Sequence, residues 1–155
     1  MVLLVFLPGV RNYKTIIDSK RSNVNTVLFD KNYVDSNTEF NEIHKNTTLE
    51  IVSFETLKEL VNNENHVGFL WNNSFSEQVV PIENFENLLH NGLTVDLITC
   101  NLNSNKIRDW VRLLESQYSE LDIRYSVNKT GNSNRNDEII NNNVIKHDAD
   151  WIMES

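Results

Sequence analysis

The chain has 155 residues, 39% hydrophobic and 9% aromatic, enough to bury a core between two or three layers and too apolar for a disordered chain. Its net charge of −8, with no basic run longer than Lys20-Arg21, has the wrong sign for a phosphate backbone, so no nucleic acid partner is expected. A single cysteine, Cys100, excludes an internal disulfide framework and fits a reducing compartment.

The opening MVLLVFLPGV has an apolar run, but no basic region precedes it and no small-residue cleavage site comes after it. It is too short to span a bilayer and reads as a first buried strand, so a cytoplasmic protein with no membrane contact is expected. Val2 to Leu7 is stopped by the turn signal Pro8-Gly9. Tyr13, Ile16 and Ile17 recur at helical spacing within Asn12 to Ser19, and Thr26 to Phe29 then makes a second strand ending at Asp30. Helical spacing returns weakly at Phe40, Ile43 and His44. Leu49 to Val52 fits a short strand or the approach to a helix.

Ser53 suits an N-cap, and Phe54, Leu57, Leu60 and Val61 form the apolar face of the helix it opens, which closes in Asn62-Asn63-Glu64-Asn65. His66 to Trp71 (HVGFLW) is a third strand, cut by Asn72-Asn73-Ser74, and Gln78 to Ile82 reads as an extended segment. Glu83 to His90 predicts a helix with Phe85, Leu88 and Leu89 on one side and Asn91-Gly92 as its stop.

The organising stretch is Leu93 to Asn101, LTVDLITCN. Its apolar run (Val95, Leu97, Ile98) predicts a central strand of a parallel sheet, buried on both faces, ending on Cys100. The carboxyl ends of such strands are where open α/β sheets place ligands and reacting groups. Ser104 to Gln117 comes next as a helix through Ile107, Trp110, Val111 and Leu114, and Leu121 to Val127 alternates as a further strand. Asn128 to Asn143 reads as a polar loop. Val144-Ile145 and Trp151 to Met153 are short extended pieces. Alternating strands and helices predict a single α/β domain over 1–155, a mostly parallel sheet of about five to six strands with helices on both faces.

Several of these pieces, in order, resemble the DUF4347 domain, a relative of the caspase-like cysteine peptidases. LLVFLPGVRNYKTI resembles the family's first strand and the entry to its first helix, and NTVLFD its second strand ending on Asp. VGFLWNNS stands where the family has an apolar strand running into His-Gly. VDLITCNL resembles its strand ending in Cys-Asn, LDIRYSVNKTGN a later strand closing on Thr-Gly-Asn, and ADWIME its closing segment. The resemblance implies a Rossmann-like, caspase-like three-layer fold with a His/Cys dyad at the ends of neighbouring strands. Cys100 falls on the nucleophile. The histidine falls on Trp71-Asn72 or Asn72-Asn73, and neither pair contains one. A thiol at its ordinary pKa is mostly protonated near neutral pH and needs an imidazole as base and proton carrier, which asparagine and tryptophan cannot replace.

Beside that reading stand plainer ones. A lone cysteine at a strand end is ordinarily a small buried apolar residue. His66 begins its strand, roughly 16 Å from the expected position at about 3.3 Å per residue, and His44, His90 and His147 read as solvated. His147-Asp148-Ala149-Asp150 carries metal-ligating residue types without a second histidine at ligand spacing, so no metal is expected. With no Walker lysine and no Gly-rich phosphate loop, no cofactor is expected either. Trp110 fits a core face, while Trp71 and Trp151 fit a protein interface.

The 25 asparagines fit AT-rich coding, as in a large DNA virus, a low-GC bacterium or certain protists. The expectation is therefore a non-catalytic caspase-like domain with protein partners, a structural or interaction subunit of a larger assembly such as a minor component of a virion or capsid. The alternative is a cysteine peptidase using Cys100 with a base supplied from elsewhere. A third is a small-molecule binder at the strand ends.

Overall fold

Strand β1, Val2–Phe6, is apolar at every position because the sheet is covered on both sides of it. The computed structural model describes residues 2–8, 16–18, 20–31, 49–71, 80–98, 105–126, 138–140 and 145–147. Beside β1 lie β2 (Val24–Phe29) and β3 (Glu50–Val52) on one side, and β4 (His66–Leu70), β5 (Thr94–Ile98) and β6 (Asp122–Ser126) on the other. All six run parallel, in the order 3-2-1-4-5-6. Two antiparallel strands, β7 (Glu138–Ile140) and β8 (Ile145–His147), extend the sheet past β6. The protein is an α/β fold with a mostly parallel sheet, and the central strand expected around LTVDLITC is β5.

Side chains alternate across the sheet. Leu3, Val5, Val67, Phe69, Val95, Leu97 and Ile123 share one face, in a core with Leu57 and Val61 of helix α1 (Phe54–Asn62) and Ile107, Val111 and Leu114 of helix α2 (Asn105–Gln117). Phe85 and Leu88 from a 3-10 turn (Phe85–Leu88) complete this layer; the Phe85 ring meets Phe69 edge-on at 5.1 Å and Trp110 at 5.6 Å. On the other face Leu4, Phe6, Val24, Leu28 and Ile98 form a second cluster, joined by Ile16 and Ile17 from a helical turn at residues 16–18. The faces derive from handedness. Strand order moves one way from β1 to β3 and the other way from β3 through β6, so right-handed connections fall on opposite sides.

The helix expected at Glu83 to His90 is only this 3-10 turn. Asn84 enters it with φ 57°, and Leu89 leaves it extended, so Phe85, Leu88 and Leu89 still reach the core without a continuous helical face. Val80 and Ile82 are buried there outside any strand, and the Ile82 N–H donates back to the Val80 carbonyl at 2.8 Å, so this part of the segment expected to be extended turns, while Gln78 and Val79 lie outside the described residues. The 128–143 segment, expected to be a loop at least in part, contains β7, and its other residues lie outside the described ones. Leu49 to Val52, ambiguous in sequence, resolves as strand β3. Among the described residues no helix is long and apolar enough to cross a membrane.

Candidate functional site

The two halves of the sheet meet between β1 and β4, and the carboxyl ends there form the position where doubly wound sheets open a ligand crevice. Leu7 and Trp71 stand just past those ends. Leu7 N–H donates to the Leu70 carbonyl at 2.9 Å, and Trp71 N–H to the Ile98 carbonyl at 3.3 Å. The second bond sets the Trp71 backbone beside the last residue of β5, two positions before Cys100. Trp71 is only 4% exposed and belongs to the main core, as does Leu7. The expectation that Trp71 is a part-exposed interface aromatic is thereby corrected: its backbone continues the β4 alternation onto the helix-covered face, and the indole goes with it. Cys100 and Asn72 lie outside the described residues, as do His44 and Trp151 and the side chain of His147.

The most concentrated polar chemistry lies elsewhere, in the middle of β4, β5 and β6 on the face away from α1 and α2. Asp96 interrupts the apolar run of β5 and is completely buried. An unpaired carboxylate there would be prohibitively costly. Its partners come from the neighbouring strands through the sheet register. Asp96 is paired across the ladder with Arg124 of β6 on one side and with Gly68 of β4 on the other. Arg124 Nε donates to Oδ1 at 2.5 Å and Nη2 to Oδ2 at 2.6 Å, a two-pronged contact matched to carboxylate geometry. His66, first residue of β4, brings Nε2 to within 2.7 Å of Oδ2. A carboxylate oxygen only accepts, so Nε2 carries the hydrogen and donates. Arg124 Nη2 lies 3.1 Å from the same nitrogen, and with that hydrogen in place the two are neighbouring donors converging on Oδ2. The His66 and Arg124 side chains are 20% and 14% exposed. They form the outer rim over a buried anion.

This arrangement balances its own charge: one guanidinium against one carboxylate, with the imidazole as an additional donor. Among the described residues no group of three His, Cys, Asp or Glu is placed to hold a metal ion. His90, expected to be solvated, is half-buried and joins two elements instead. Its Nε2 lies 3.1 Å from the Val61 carbonyl in the last turn of α1, and its Nδ1 2.9 Å from the Asn91 carbonyl. A neutral imidazole has one N–H and serves one of these carbonyls at a time.

The signal for the cluster was present in the sequence. An aspartate inside LTVDLIT and an arginine inside LDIRYSV are charges in mid-strand, where burial requires a partner. His66 was weighed only as a distant base, and its position at the start of β4 is what brings it to Asp96. Comparisons with family models, with curated proteins and with solved structures find no match to this chain.

Proposed function

We propose that the chain is a non-catalytic caspase-like domain, related to DUF4347, that acts as a structural or interaction subunit within a larger assembly of proteins. The carrying observation is Trp71. At the position matching the family's histidine, or directly beside it, stands an indole buried in the main core, and its backbone is tied to the end of β5. Two further histidines are committed elsewhere, His66 to the Asp96 carboxylate and His90 to the end of α1. A minor virion component of a large DNA virus is the setting we favour, on the asparagine-rich composition alone.

The test is the alkylation rate of Cys100 by iodoacetamide at neutral pH, measured for the wild type and for His44→Asn, His66→Asn, His90→Asn and His147→Asn. An unactivated thiol reacts no faster in the folded chain than in the chain unfolded by urea, and every variant behaves alike. A folded-state rate at least tenfold above the unfolded one, abolished by one of the four substitutions, overturns the reading and restores a cysteine peptidase.

A further inference from the structure

We draw no further inference here: the strongest candidate, the half-exposed face of β4, β5 and β6 bearing His66 and Arg124, belongs to the ion cluster already described, turns both side chains onto Asp96, and nothing in the structure shows what covers it.

Discussion

Asp96 is where the chain takes its greatest electrostatic risk, and Arg124 is what makes it tolerable. Removing one partner of a buried pair leaves an uncompensated charge, at a cost of about 3–5 kcal/mol. Arg124→Met should therefore lower unfolding stability by that amount in urea denaturation, with His66 left as the remaining donor. The double variant Asp96→Leu/Arg124→Met removes both charges at once and should recover most of the loss, to within about 1–2 kcal/mol of the wild type. If the double variant is as unstable as the two single variants summed, the pair is not the coupled unit that its geometry implies. His66→Ala removes one donor at a part-exposed rim and should cost less, about 1–2 kcal/mol. At this scale the sequence was legible in half. The two charged residues stood out against apolar neighbours, yet their partnership depends on β5 and β6 being adjacent and in register, which no single strand encodes.

The two α-helices show how far local rules reach. The start of α1 is set locally: Ser53 Oγ accepts from the Thr56 N–H at 3.4 Å, and Leu57 and Val61 fall inward one turn apart. Ser53→Ala should destabilise the protein by about 1 kcal/mol, read from the denaturation midpoint, whereas Ser53→Asp should retain most of the cap. The far end of α1 closes where the sequence places it, with Asn63 Nδ2 donating to the Glu59 carbonyl at 3.0 Å; what no local rule shows is the added contact of His90, far along the chain, with the Val61 carbonyl. His90→Phe keeps a ring and loses that contact; a loss of about 1 kcal/mol is expected, together with faster amide exchange in the last turn of α1 and not in α2. The 3-10 turn was misread for a related reason. Phe85, Leu88 and Leu89 have helical spacing, but Asn84 with positive φ and Leu89 with extended backbone leave room for four residues only. The stop expected at Asn91-Gly92 falls at Leu89 instead; Gly92, with φ +88°, sits in the turn into β5, and nothing beyond its chain neighbours lies within 4 Å of where its Cβ would be, so conformation and not space favours glycine there.

At the scale of the whole molecule, periodicity was enough to give the class. The continuous apolar run of β1 and the run of β5 broken by Asp96, separated by amphipathic helices, specify strands buried on both faces and hence a parallel sheet. Strand order could not be read, since it depends on which edge each crossover returns to. Polarity of the faces could not be read either. The crossovers α1, the 3-10 turn and α2 all lie on one side of the sheet; among the described residues the opposite side of β4 to β6 carries His66, Thr94, Asp96, Asp122 and Arg124, with Leu70 and Ile98 joining the second apolar cluster at the strand ends. Hydrogen exchange should reflect this architecture. Amides of β1, β4 and β5, paired on both sides, should open only with global unfolding, while those of β3, short and at the margin, should exchange through local opening. Protection in β3 equal to that in β1 would contradict the order of the sheet.

The position of β1 in the middle of the sheet has a consequence for synthesis on the ribosome. One flank of β1 is met early, by β2, but the other is met only by β4, so Leu3 waits for Val67. At about 5–20 residues per second, that interval is of the order of several seconds, plus passage through the exit tunnel. Throughout it, an apolar ribbon that ends up in the centre of the fold has an open flank facing solvent. Strand β1, which emerges well before its second partner, is thus exposed to wrong pairing and suited to a nascent-chain chaperone. Polysomes programmed with this message should carry such a chaperone until β4 clears the tunnel.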